Sequence, residues 1–415
     1  MRRRSVLAAV AVLALSVLPA CSSSDSGSDG PVALTYGLWD KNQVPAAEKL
    51  ISAFQAKHPG ITVSVQLTPY TEYFTKLQAS ATGGQAPDVF WMNGPNFQLY
   101  AANKMLQPLT DLGVDMSVYP QSLVELYKFD GVQFGLPKDF DTVGLWYNKK
   151  IFDAAGVAYP AGTWSWADFK AAATRLTDPA KGVFGVAAAL EGQQNYYNTI
   201  YQAGGEVISR DGRKSGYGSP QAIEGLRFWT DLVQAKVSPT VQQMADTAPL
   251  NMFESGKVAM FWGGSWNAKE FGNNADTKDS VDVAALPSGA RKATMIHGVA
   301  NVVSARTRHA AQAAEFEKFL GSQEAALILA GTGTVIPAYK DTQSDWVKAF
   351  PQYKLQSFLD QVPDAVPLPV SANTATWNTL ETDLLTRAWA GTEPVDAVAR
   401  KLAGEMDAAL AKGTK

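Results

Sequence analysis

Apolar residues recur along this chain with two different periods, and each change of period marks an element. Val32 to Trp39 is a β-prone run. Ala47, Leu50, Ile51 and Phe54 then fall at i, i+3, i+4 and i+7, one face of a helix that stops at Pro59-Gly60. Ile61, Val63, Val65 and Leu67 alternate with polar residues, the period of a strand with one buried face. A second helix is predicted around Tyr73 to Ala81, ended by Gly83-Gly84, and Pro87 leads into a continuous apolar strand, Asp88 to Met92. This strand–helix–strand–helix–strand order predicts a parallel sheet with helices on both faces. In such sheets ligands bind beyond the carboxyl ends of the strands, here Trp39-Asp40 and Trp91-Met92-Asn93.

The stretch from Gly131 to Lys149, GVQFGLPKDFDTVGLWYNK, joins two extended runs at a polar, aromatic corner around Lys138, Asp139 and Asp141. At 415 residues the chain exceeds the size of a single core, so two lobes are expected, and this corner reads as a crossing between them. A second α/β segment follows. Ser165 and Asp168 have capping-box spacing, with Trp166, Phe169, Ala173 and Leu176 continuing an apolar face. Ser219-Pro220 opens another helix with proline at its tolerated first position. Gly256 to Asn267 reads as a strand running into a Gly-Gly turn, and Ile296 to Ser304 is again extended. Helices are predicted over Glu315 to Leu320, Ser322 to Ala330, Thr374 to Trp389, and from Pro394 onward.

Composition changes the picture mainly at the N-terminus. Arg2, Arg3 and Arg4 precede an apolar run, Val6 to Leu18, too short to span a bilayer comfortably and followed by small residues: a secretory signal pattern. The only cysteine, Cys21, follows Leu18-Pro19-Ala20 and cannot form an intrachain disulfide. LPAC before a serine-rich segment resembles the lipobox of bacterial lipoproteins, which implies lipidation of Cys21 and a flexible tether over 21–30. The net charge is −3, and removing residues 1–20 takes away three arginines and no acid. With no basic cluster, no nucleic-acid partner is expected.

Catalytic and metal constellations are weak. His58, His297 and His309 are far apart, and no His/Cys cluster has metal-ligand spacing. Gly263-Gly264-Ser265-Trp266-Asn267 lacks the closing glycine of a nucleophile elbow, and Gly331-Thr332-Gly333 lacks the third glycine of a dinucleotide site. Asp139 and Asp141, read as pointing to opposite faces of an extended segment, are expected to line a site without converging on one bond; Asp141 is expected to accept hydrogen bonds from a polar ligand. Of eleven tryptophans, Trp164, Trp166, Trp229, Trp346 and Trp389 lie on or beside helices and Trp146 in a strand, as core residues do. Trp39, Trp91, Trp262, Trp266 and Trp377 instead sit at strand ends, at the Gly-Gly turn or near a helix start, beside Asp40, Asn93, Ser265, Asn267 and Asn373. Flat rings beside hydrogen-bonding groups suit a sugar, whose C–H face stacks while its hydroxyls need partners.

VALTYGLWD (32–40), PDVFWMNGPNF (87–97), the crossing, TWSWADF (163–169), Gly256 to Trp266 and Gly298 to Ala338 together resemble successive blocks of extracellular solute-binding protein family 1, the sugar-binding lipoproteins of ABC importers. The resemblance implies an α/β, two-lobed periplasmic-binding-protein fold of the type II kind, each lobe a mainly parallel sheet flanked by helices. Three crossings are implied near 141–143, 297–300 and 335–339. The implied lobes are 31–142 with 299–336, and 143–298 with 337–415. Implied ligand contacts are Trp39, Asp40, Trp91, Asn93, Asp139, Asp141, Tyr196, Tyr197, Trp262, Ser265, Trp266 and Trp377, with Trp266 and Trp377 stacking on sugar rings. Glu191-Gly192-Gln193-Gln194 departs from the maltose binder's pattern. The implied function is a monomeric, lipid-anchored extracytoplasmic receptor, without cofactor, metal or catalysis, that presents an oligosaccharide to a permease. Rival readings are the same scaffold carrying glycerol phosphate or an iron complex, and an extracellular carbohydrate-active enzyme.

Overall fold

The computed structural model describes residues 31–413 apart from Asp111 and Arg210; the signal segment 1–20, Cys21 and the tether 21–30 lie outside the described residues. In chain order the strands are β1 (Val32–Leu38), β2 (Ile61–Leu67), β3 (Val89–Asn93), β4 (Lys128–Phe129), β5 (Val132–Gln133), β6 (Gly135–Pro137) and β7 (Asp139–Asn148). There follow β8 (Phe184–Val186), β9 (Val258–Gly264), β10 (Val281–Ala284), β11 (Thr294–His297), β12 (Val299–Val303), β13 (Ile336–Pro337) and β14 (Ala365–Pro367).

The protein is an α/β chain with two lobes, each built on one sheet. The first sheet has the order β2-β1-β3-β12-β6, and the second β14-β11-β7-β9-β8 with β10 and β13 also paired to β7. In both sheets the strands run one way except for a single member. β12 is antiparallel to β3 and β6; β7 is antiparallel to β9, β10, β11 and β13. The reversed strand is in each case the one that enters directly from the other sheet: β7 follows β6, and β12 follows β11. The predicted parallel arrangement therefore holds among the home strands and is reversed at the exchanged one.

Most predicted elements form where the patterning puts them. Helices cover Val44–Lys57, Tyr70–Thr82 and Thr374–Trp389, and Ser165 with Asp168 closes a reciprocal capping box. Gly263 and Gly264 differ from expectation: they are strand residues paired with Gly144 and Val143, and the turn comes after them. The glycine is needed for packing, since a Cβ on Gly264 would lie 1.9 Å from the Trp266 ring. β7 separates two cores by strand alternation. Val143, Leu145 and Tyr147 enter one, with Phe152, Trp229 and Trp262; Trp146 enters the other, with Phe271 and Phe358.

The crossings are tied together at Lys138 and Asp139. The Lys138 N–H donates to the Val299 carbonyl (2.9 Å), and the Lys138 carbonyl accepts from the Ala338 N–H (3.1 Å). The Asp139 carboxylate accepts the Val299 N–H (2.9 Å) and pairs with the Lys138 ammonium, which also donates to Gln43 Oε1 (2.8 Å). Gly298, between β11 and β12, has no room for a side chain: a Cβ would meet the Asp139 carbonyl oxygen at 2.2 Å. Both charged residues are buried, Lys138 at 5% and Asp139 at 3% exposure. Removing one member of a buried pair strands the other charge. Lys138→Met is therefore expected to destabilise the fold by roughly 3–5 kcal/mol in urea denaturation, with part recovered in Lys138→Met/Asp139→Asn. A single-variant loss below ~1 kcal/mol would show that the pair is not a structural tie.

Candidate functional site

Strand ends from both sheets converge on one cavity of about 460 Å³. Trp39 and Asp40 follow β1, Asn93 ends β3, Asp139 and Asp141 begin β7, Ser265 and Trp266 follow β9, and His297 ends β11. This is the crevice at carboxyl ends that an open α/β sheet offers a ligand. Glu191, Gln193 and Gln194 close it from the second lobe.

Trp39 is half-buried and held edge-on by three rings, Tyr73 at 5.0 Å, Trp91 at 5.1 Å and Tyr70 at 5.7 Å between centroids. Asp40 accepts from the Asn42 N–H (2.8 Å) and Gln43 Nε2 (3.0 Å), which fixes its carboxylate at the cavity wall. Asn93 caps the helix Gly94–Ala102 through its oxygen and donates Nδ2 to the Tyr70 hydroxyl (3.2 Å). Trp266, half-buried, lines the cavity from the end of β9, with Ser265 beside it.

Asp139 and Asp141 are two apart on β7 and so share a strand face, and both line the cavity. Their partners, rather than their directions, separate them. Asp139 is committed to Lys138 and the Val299 N–H, whereas Asp141 accepts from neutral Gln193 Nε2 at 2.9 Å and faces His297 Nδ1 at 3.8 Å. His297 Nε2 accepts the Gly94 N–H (3.2 Å), which leaves the ring proton on Nδ1, toward Asp141. Burial pushes the Asp141 carboxyl up, and His297 holds it down in part. Glu191 is reached by solvent yet walled in by its surroundings, which raises its carboxyl too. Glu270 is raised by burial and then by Glu254 and Asp40. The lining includes the carboxylates Asp40, Asp139, Asp141, Glu191 and Glu270 and no lysine or arginine.

The structure does not bring every expected residue to this cavity. Trp91 is enclosed in the first lobe, its Nε1 donating to the Tyr36 hydroxyl (2.6 Å) with the Lys138 ammonium 4.3 Å from its ring centroid. Trp262 is packed against Trp229 (4.8 Å) and Phe169 (5.8 Å), because both faces of β9 are covered. Trp377 is 0% exposed and donates to Ser371 Oγ (2.9 Å). It falls on the stripe of its helix that also buries Thr374, Glu381, Leu384 and Leu385, so its core position follows from helical period. Tyr196 and Tyr197 are buried in the core of the second lobe and do not line the cavity, and Tyr197 donates to both Glu381 oxygens (3.0 and 2.8 Å).

Two kinds of residue escape sequence reasoning. Tyr70 begins the helix after β2, and the strand-end rule that singles out Trp39 applies equally to it. Glu191 to Gln194 enter through a π-helical turn, Gly192–Tyr196, for which periodicity offers no signal.

The profile of the bacterial extracellular solute-binding protein family matches residues 40–327. The galactooligosaccharide-binding protein of Bacillus subtilis (strain 168) is 24% identical over 359 residues, 83% of this chain and 82% of its own. The diacetylchitobiose-binding protein DasA of Streptomyces coelicolor is 24% identical over 441 residues, 99% of each chain. Among solved structures, an ABC substrate-binding protein of Listeria monocytogenes in complex with cycloalternan superposes with a TM-score of 0.85 at 26% identity, covering 92% of this chain and 99% of that one.

Glu381, buried with its tyrosines, is pushed up to about 8, chiefly by burial, and Glu317, buried in the first lobe, reaches about 8 for the same reason. Their ordinary value is 4.5. Between these values the folded chain holds protons that the unfolded chain releases, so stability falls as pH rises through this window. Calorimetry is expected to show a lower Tm at pH 8 than at pH 6, and Glu381→Gln is expected to shrink that difference. An unchanged pH slope in Glu381→Gln would refute the assignment.

Proposed function

The chain belongs to the bacterial extracellular solute-binding protein family, and on that premise we propose that it captures an oligosaccharide between its lobes and delivers it to a membrane permease. The observation that carries this reading is the pairing of Trp39 and Trp266 with carboxylates and carboxamides in one cavity. The aromatic faces suit the C–H side of pyranose rings, and Asp40, Asp141 and Glu191 accept hydrogen bonds from hydroxyls. Its position between lobes suits capture by closure, driven by the ligand's higher affinity for the closed state. The names of the relatives, binders of galactooligosaccharide and diacetylchitobiose, support the same ligand class.

A glycerol phosphate or other anionic ligand fits poorly, since the lining holds acids and no lysine or arginine. An iron complex is not favoured either: among the described residues no group of three or more His, Cys, Asp or Glu is placed to hold a metal. We propose binding without chemistry, because Asp139, the natural partner for Asp141 in glycoside hydrolysis, is held by Lys138 and a backbone N–H. The rest of the proposal follows the sequence: export on residues 1–20, lipidation at Cys21, a tether over 21–30, and a monomer working outside the membrane. The lobes comprise 31–142 with 299–336, and 143–298 with 337–415, the Lys138–Asp139 corner serving as the principal hinge.

A thermal-shift screen of the mature chain with Cys21→Ser against mono- and oligosaccharides tests this. A ligand at 100 times its Kd stabilises by roughly 2.7 kcal/mol. Trp39→Ala and Trp266→Ala are expected to lose the shift; Trp39→Ala, which removes a ring packed against Tyr70, Tyr73 and Trp91, is also expected to lower the unliganded Tm. Trp377→Ala is expected instead to cost about 3–5 kcal/mol of stability as a core cavity. If phosphorylated solutes raise the Tm and carbohydrates do not, the proposal is wrong.

A further inference from the structure

Behind Trp266 the cavity has a neighbour. A groove of about 370 Å³ on the second lobe shares Trp266, Glu191 and Gln194 with the interlobe cavity, so the two compartments adjoin at the Trp266 ring. The groove differs in chemistry from the cleft. Val241, Met244, Leu250 and Phe261 make an apolar wall, supplied by the helices Val241–Asp246 and Pro249–Glu254 and by β9. Into this wall are set two buried carboxamides, Asn195 at 3% and Asn267 at 2% exposure. Asn267 Oδ1 has no hydrogen-bond partner in the protein, an uncommon state for a buried polar atom.

An unsubstituted sugar ring presents hydroxyls, which an apolar wall leaves unsatisfied. A group that combines a methyl with one N–H and one carbonyl matches both halves of the groove: the methyl against Met244 and Leu250, and the amide against carboxamides that can donate and accept. Glu191 at the junction, with no lysine or arginine in the lining, disfavours a uronate or a phosphate. We propose that this groove is a second subsite that takes an acetamido-bearing sugar unit, so that the ligand is an oligosaccharide containing an N-acetylated hexosamine. This rests on the cleft being a sugar site.

Isothermal titration of the mature chain with three β-1,4 disaccharides differing only at C2 separates the possibilities: cellobiose, the glucosamine disaccharide and di-N-acetylchitobiose. The acetylated disaccharide is expected to bind at least about tenfold more tightly than cellobiose. Asn267→Ala is expected to erase that difference, read as the ratio of the two affinities. Ala245→Phe, at an exposed position on the groove's rim, fills the groove without touching the core and is expected to do the same. Equal affinity for cellobiose and the acetylated disaccharide, or a preference that survives both variants, overturns the subsite while leaving the sugar-binding reading intact. Tightest binding of the glucosamine disaccharide also overturns it, showing attraction of an ammonium to the cleft's carboxylates instead. If these disaccharides and longer sugars all fail to bind, the sugar-binding reading falls and the subsite with it.

Discussion

A buried ion pair at the crossing between the sheets sets the terms for the rest of the molecule. Lys138 and Asp139 are adjacent in sequence and both removed from solvent, an arrangement that costs desolvation energy unless every remaining donor and acceptor is used. Here they are used: the ammonium reaches Gln43 and lies over Trp91, and the carboxylate takes the Val299 N–H. The backbone of Lys138 also joins the other two crossing segments at Val299 and Ala338. Three connections that are remote in sequence are thereby held at one point, and the cleft opens beside it.

That arrangement also assigns different work to two similar carboxylates. Asp139 is neutralised by its neighbour and stabilises the crossing. Asp141, on the same strand face, receives only a carboxamide and a histidine and keeps acceptor capacity toward the cavity. Its raised proton affinity reflects incomplete compensation after burial. A hydroxyl placed there would complete a set of hydrogen bonds that the protein alone leaves open.

The lobes are asymmetric in their aromatic content. In the first, Trp39 stands at the end of a ring cluster running through Tyr70, Tyr73 and Trp91, so one exposed face is backed by a rigid stack. In the second, Trp266 folds back over Gly264 and divides the cleft from the groove behind it. Rigid aromatic walls lose little entropy on binding, and a ligand that spans both compartments gains from each.

Residue periodicity was enough to place β1, β2 and β3 with the two helices between them, the crossing at Gly131 to Lys149, and the C-terminal helices, but not the helices Gly94–Ala102 and Gln121–Leu126. Local patterns of 2.0 and 3.6 residues record which side of an element is buried. The strand-end rule singled out Trp39, Asp40 and Asn93, which line the cavity, but also Trp91, which does not; Ser265 and Trp266 stood out by the Gly-Gly turn beside them. Local pattern could not decide which tryptophans reach the cavity. Trp262 and Trp377 have polar neighbours in sequence, yet a sheet covered on both faces and a helix turned inward enclose them. Nor could it reveal the reversed strand in each sheet or the π-turn that brings Glu191 to Gln194 to the cleft. The reversed strands depend on contacts between residues more than a hundred positions apart, such as β12 beside β3 and Val299 on Asp139, and the π-turn on Gln193 reaching Asp141 on another element; only the folded chain brings them together.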